Sequence, residues 1–104
     1  MQINAYDEFI QHMQECGKVI KCVHITTDPY HRPIEGIFLH ENYDLNALVK
    51  FLQELDFEYH CGYGAQELYG TIWYTDGTWS ERDQYDGSEW WEYKQVPEVP
   101  DNLK

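Results

Sequence analysis

Hydrophobic residues recur three and four apart over residues 4–17, NAYDEFIQHMQECG, where Tyr6, Phe9, Ile10, Met13 and Cys16 form one stripe. That is the spacing of an amphipathic helix. Asn4 is placed to cap it, with Asp7 three residues on as in a capping box, and Gly17 supplies the residue that ends it. The period then falls to two along KVIKCVHITT, with Val19, Lys21, Val23 and Ile25 on one face and Ile20, Cys22, His24 and Thr26 on the other. Neither face is cleanly polar, so this strand is expected in the interior of a sheet. DPYHRP reads as a loop, because Asp-Pro starts turns and Pro29 and Pro33 oppose regular pairing. IEGIFLHE is a second strand. In NYDLNALVKFLQELD the stripe Leu45, Leu48, Val49, Leu52 and Leu55 predicts a second helix, capped by Asn42 or Asp44.

Beyond residue 56 the pattern is that of an antiparallel meander. FEYHCGY predicts a strand, GAQ a turn, and ELYGTIWY the next strand. Asp76-Gly77 and Asp86-Gly87 both suit two-residue type I′ hairpins. Two such turns fix the register: Tyr74 opposite Trp79, Thr71 opposite Arg82, Asp83 opposite Trp90, and Arg82 opposite Trp91. One face of the meander then carries Tyr69, Trp73, Arg82, Trp91 and Tyr93. The other carries Ile72, Tyr74, Trp79, Glu81, Asp83, Tyr85, Trp90 and Glu92. The tail VPEVPDNLK is interrupted by proline and is expected to run extended over the surface.

The expected fold class is α+β: two helices packed on a mostly antiparallel sheet, in the order helix, strand, strand, helix and then a β-meander. The 104 residues suffice for one domain. Within it, residues 1–65 form an α/β part, 66–96 the aromatic-rich meander and 97–104 the proline-containing tail. Residues 70–94 hold all 4 tryptophans of the chain. Large rings let a small domain build a core from few residues, which accounts for half of this cluster. Two helices cover one sheet face well, so the other face would leave tryptophan and tyrosine beside Glu81, Asp83 and Glu92, as a binding face does.

Charge sharpens that expectation. The chain carries 19 acidic against 7 basic side chains, net −12, and most of the excess lies in its second half. Direct binding to nucleic acid is disfavoured, since that affinity comes from Lys and Arg displacing counterions. A basic protein surface is the favoured partner, although acidity for solubility alone explains the same composition. Self-association is compatible with the sequence. The start MQINAYDEFI has neither the basic residues nor the apolar run of a signal peptide, and no stretch approaches a membrane span. Three cysteines at irregular spacing, Cys16, Cys22 and Cys61, suit reduced thiols.

Residues 70–103, GTIWYTDGTWSERDQYDGSEWWEYKQVPEVPDNL, resemble a segment that ends many small proteins of tailed bacteriophages. The shared pattern is Gly, Trp, Asp-Gly, Trp, Arg, Tyr-Asp-Gly, Glu-Trp-Trp and paired prolines. The resemblance spans about a third of the chain and implies a phage or prophage protein acting in the cytoplasm of a bacterial host. It implies no biochemical activity, because that group has no settled one.

Chemical motifs are sparse. Structural zinc takes four N or S ligands in paired knuckles, which are lacking, and adjacent His60 and Cys61 point to opposite faces of a strand, so no metal or cofactor is assigned. Cys61 with His24 or His40 could assemble a nucleophile and base, yet a buried inert cysteine is the commoner case. Glu81 and Asp83 stand ~7 Å apart by strand rise, a spacing glycosidases use, but nothing marks a sugar cleft. No P-loop, G-x-G-x-x-G or H-E-x-x-H occurs. No catalytic residue is assigned and the chain is not read as an enzyme. The binding residues expected are Trp79, Glu81, Asp83, Tyr85, Trp90, Glu92 and Arg82. Arg82, opposite Trp91, also reads as a cation–π staple worth ~0.5–2 kcal/mol. Of Trp90 and Trp91, one belongs in the core.

Two functions are expected from this. In the first, a small acidic phage-type protein binds and inhibits a basic, nucleic-acid-handling host protein, by nucleic-acid mimicry or another host-takeover route. In the second, the Trp and Tyr rings stack on a nucleotide-like ligand whose anionic part is held by Arg82 or by His31 and Arg32. An accessory virion protein is a third reading.

Overall fold

A computed structural model describes residues 2–30, 35–61 and 64–104. A short strand β1 (Gln2–Asn4) runs straight into helix α1 (Ala5–Cys16). Asn4 caps α1, its side chain accepting from the Asp7 N–H at 3.0 Å, and Gly17 closes the helix at φ 62° with its N–H on the Met13 carbonyl. Then come β2 (Ile20–Thr26), β3 (Ile37–Leu39), α2 (Leu45–Glu54), β4 (Glu58–His60), β5 (Tyr69–Tyr74), β6 (Trp79–Tyr85) and β7 (Ser88–Lys94). A 3₁₀ turn (Asp101–Leu103) ends an exposed tail. The fold is α+β, with every strand pairing antiparallel.

Five strands form the main sheet in the order β3-β2-β5-β6-β7, with β2 inside it as its mixed faces require. β4 is a strand but lies outside the meander, pairing with β1 in a separate two-stranded ribbon. Three residues are too few for β1 to show a period, so the sequence reading misses it.

The two Asp-Gly turns differ. Asp86 and Gly87 both have positive φ, 51° and 85°, as a type I′ turn needs, and Arg82 opposes Trp91 and Asp83 opposes Trp90 as expected. Around Asp76 the expected register is wrong by one residue: Trp79 faces Trp73, Ser80 faces Ile72 and Glu81 faces Thr71. The Gly77 N–H bonds the Tyr74 carbonyl at 3.3 Å and the Tyr74 N–H bonds the Thr78 carbonyl at 3.0 Å. Residues 75–77 therefore form a three-residue loop with Gly77 at φ 88° as a bulge. The Asp76 carboxylate holds this form by accepting from the Thr78 N–H and pairing with Lys18 at 2.6 Å.

A slip of one residue exchanges the faces of a strand. Ile72 and Tyr74 thus lie with Ser80, Arg82, Glu89 and Trp91 on a covered face, while Trp73 joins Trp79 on the other. Phe9 of α1 stands edge-on to Phe51 of α2 at 5.5 Å and to Trp91 at 6.3 Å, binding both helices to that covered face. Ile25, Leu55, Leu68 and Ile72 are among the residues that complete the core. The α2 stripe is turned in part from the expected one: Leu48 and Leu52 pack against the core and Leu55 is buried as expected, but Phe51 is buried with them while Leu45 and Val49 are 73% and 45% exposed. Over only 10 residues, the bulk of the Phe51 ring against Phe9 decides which side of α2 faces inward.

Candidate functional site: the open face of the sheet

Alternation along β6 and β7 sends Trp79, Glu81, Asp83, Tyr85, Trp90 and Glu92 to the face opposite the helices. Six of the seven expected binding residues therefore share one surface. Trp90 donates from Nε1 to Glu92 Oε2 at 2.9 Å, which fixes the ring beside its acid. Lys94 reaches across to Glu81 at 2.8 Å. Asp83 accepts from the Gln84 N–H, and Tyr85 stands 76% exposed at the end of β6.

Arg82, the seventh, is not on this surface. It points to the covered face, where its side chain is 1% exposed and Nη1 lies 2.7 Å from Glu8 Oε1. Its Nη2 donates to Glu89 Oε1 at 3.0 Å and to the Tyr59 hydroxyl at 2.9 Å. The guanidinium sits 5.2 Å from the Trp91 ring centre, so the staple expected from the register is present. Tyr59 in turn donates to Glu8 at 2.6 Å, and burial followed by that bond raises the Tyr59 pKa. Glu89 also accepts the N–H groups of Glu67 and Leu68. An isolated buried charge would be costly; here α1, β4 and β7 each supply a partner.

The open surface extends further than the sequence reading placed it. Trp73, 41% exposed, lies beside Trp79, and on the next strand His24 stacks on Phe38 at 4.7 Å and 9°. Phe38 stacks on His40 at 5.9 Å and 13°. Cys22, His24, Phe38, His40, Glu41 and Trp73 line a groove of about 300 Å³. His24 is held by donation from Nε2 to the Glu35 carbonyl at 2.7 Å, and burial raises the Cys22 thiol pKa. Trp73 was misplaced because its face depends on the register of one turn. Phe38 and His40 are two apart in the segment IEGIFLHE read as a strand, which was the available signal for a shared face, although β3 ends at Leu39.

Five of the six described lysines and arginines, Lys18, Lys21, Arg82, Lys94 and Lys104, are held in ion pairs with carboxylates, and Lys50 on α2 is the exception. The cysteine–histidine pairs weighed from sequence do not emerge: Cys61 is buried with its thiol toward the Glu89 carbonyl, on the covered side of the molecule from His24. His31 and Arg32 lie outside the described residues. Among the described residues no three His, Cys, Asp or Glu side chains gather as metal ligands would, and no helix is long and apolar enough to cross a membrane. No family model, curated protein or solved structure matches this chain.

Proposed function

We propose that this protein is an interaction module that docks through the open face of its five-stranded sheet onto a basic surface of a partner protein. What carries the reading is the arrangement of that face. Both helices pack on the other side, and Trp73, Trp79 and Trp90 are left among Glu81, Asp83 and Glu92 while the nearest cation, Lys94, is bound to Glu81. Rigid aromatic anchors surrounded by charge are what binding hot spots are built from. Carboxylates projecting from adjacent strands also suit sites made for phosphates, so the partner we favour handles nucleic acid, and docking would inhibit it. The resemblance of residues 70–103 to phage protein termini supports a bacterial host protein as that partner.

The test is capture from bacterial lysate by the tagged full chain and by a Trp73→Ser/Trp79→Ser variant, at low and raised salt, with and without added DNA. A basic nucleic-acid-handling protein should be retained by the natural chain at low salt, released by salt or DNA, and lost with the variant. Capture indifferent to the two substitutions would remove the open face from the reading. Absence of any salt-sensitive partner would remove the reading itself.

The groove beneath the stacked His24, Phe38 and His40 rings favours a second reading, a module for a flat aromatic ligand such as a nucleobase. Arg82 is buried and cannot hold such a ligand's anionic part. A thermal-shift screen of nucleosides and nucleotides, with stabilisation insensitive to salt, distinguishes this reading from the first.

A further inference from the structure

The five-stranded sheet ends on β7, whose 7 residues pair with β6 on one side and, among the described residues, with no strand on the other. The two-residue turn at Asp86-Gly87 makes Tyr85 and Ser88 a hydrogen-bonded pair, and alternation from there directs the backbone groups of Ser88, Trp90, Glu92 and Lys94 to β6. Those of Glu89, Trp91 and Tyr93 point outward. The Glu89 carbonyl is covered, accepting from the Cys61 thiol at 3.7 Å, but among the described residues the backbone groups of Trp91 and Tyr93 meet no partner. Trp91, Glu92 and Tyr93 alternate faces, yet all three line one open cavity of about 470 Å³ with His12, Glu15 and Lys18. A cavity can meet both faces only at the edge of a strand, so there is space beside the unpaired groups. Natural sheets blunt such an edge with proline, a bulge or charge. Before Pro97, β7 has only charge, and that charge is self-complementary.

We propose that β7 pairs antiparallel with β7 of a second copy of this chain, centred on Tyr93, so that two sheets join across a two-fold axis. Tyr93 then exchanges backbone bonds with Tyr93 of the second copy, and Trp91 with Gln95. Glu92 stands opposite Lys94 of the second copy and Lys94 opposite Glu92, while Trp90 meets Val96, a side chain 73% exposed in the single chain. Glu92 keeps Oε1 for this pair, since Trp90 holds Oε2. Charge decides the register: centring the pairing one residue earlier sets Glu92 against Glu92, and one residue later Lys94 against Lys94. Centring it on Trp91 would need the Glu89 carbonyl that Cys61 covers. The pairing stops where Glu89 meets Pro97, which has no N–H to give. Because they are exposed, the ion pairs select the register; backbone bonds and the contacts of Trp90 with Val96 hold the copies together. Opposed residues share a face, so the two open faces become one continuous surface, whatever partner that surface meets.

The test is sedimentation of the natural full chain over a concentration series in about 0.15 M salt, where repulsion between two acidic chains is screened beyond ~8 Å. The natural chain should sediment as a concentration-dependent dimer. Gln95→Pro, outside every strand of the single chain, removes an outward N–H and should weaken association about tenfold while the far-ultraviolet circular dichroism is unchanged. Glu92→Lys and Lys94→Glu should each weaken self-association about tenfold, because each sets like charges opposite one another. Mixed in equal amounts, these two variants should form a heterodimer near the natural affinity, since every opposed pair is then of opposite sign. A loss of fold cannot mimic that recovery. A natural chain that stays monomeric up to about 1 mM would overturn the proposal and leave the edge to a strand of another protein. A dimer indifferent to Gln95→Pro, or charge variants that do not recover on mixing, would overturn it too.

Discussion

Strand β6 serves two surfaces that use the same residue types to different ends. Ser80 and Arg82 face the helices, while Trp79, Glu81 and Asp83 face outward. Each surface holds tryptophan and an acid–base pair of nearly equal length, Arg82–Glu89 at 3.0 Å and Lys94–Glu81 at 2.8 Å. The side chains of the first are 1% and 1% exposed and those of the second 37% and 40%. Distance therefore says little about what either pair does. Water screens the outer pair, whereas the inner pair is committed: neither charge can lose its partner without standing alone in the core.

The sharpest way to break this comparison is Arg82→Met. It removes the cation shared by Glu8, Tyr59 and Glu89 and should destabilise the fold by about 3–5 kcal/mol in urea unfolding, the usual cost of an orphaned buried charge. Adding Glu89→Gln should recover part of that loss, since it neutralises one orphan while a carbonyl still accepts from the Leu68 N–H. A loss below about 1 kcal/mol would mean that water reaches the network and that the two faces are not electrostatically different.

Next in size comes a pair of tryptophan deletions. Trp91, 7% exposed, packs on Phe9, His12 and Arg82, so Trp91→Ala should cost about 3–5 kcal/mol. Trp73→Ala, at a site 41% exposed, should cost about 1 kcal/mol or less and yet reduce partner capture. If Trp73→Ala unfolds the protein, its ring belongs to the fold and the open face loses an anchor.

Local chemistry made much of this legible in the sequence. Asn4 and Gly17 bound α1 where their capping chemistry places them, and Asp44 caps α2. The Asp86-Gly87 turn gave a register in which Arg82 meets Trp91. Six of the seven expected binding residues lie on one face because alternation within a single hairpin needs only that turn. The β5–β6 register was not legible, since Asp-Gly serves a type I′ turn and a type I turn with a glycine bulge equally well. In the bulged form the Asp76 carboxylate accepts from the Thr78 N–H and also meets Lys18, 58 residues away. Arg82 was assigned to both roles for a similar reason: that it is buried depends on Glu8, 74 residues earlier.

The smallest expected effect on stability is also the most discriminating for function. Lys94 stands among Glu81, Asp83 and Glu92, and its bond to Glu81, followed by the field of the three acids, raises its pKa. Lys94→Met should leave the unfolding midpoint unchanged, because an exposed, screened pair contributes little. It also frees the Glu81 carboxylate and makes the open face one charge more negative. If that face meets a basic surface, the substitution should tighten capture by a few-fold at low salt, and the gain should disappear as salt rises. Weaker capture would mean that Lys94 itself meets an acidic group on the partner. The aromatic rings could then still be anchors, but the acidic reading of the face would fail.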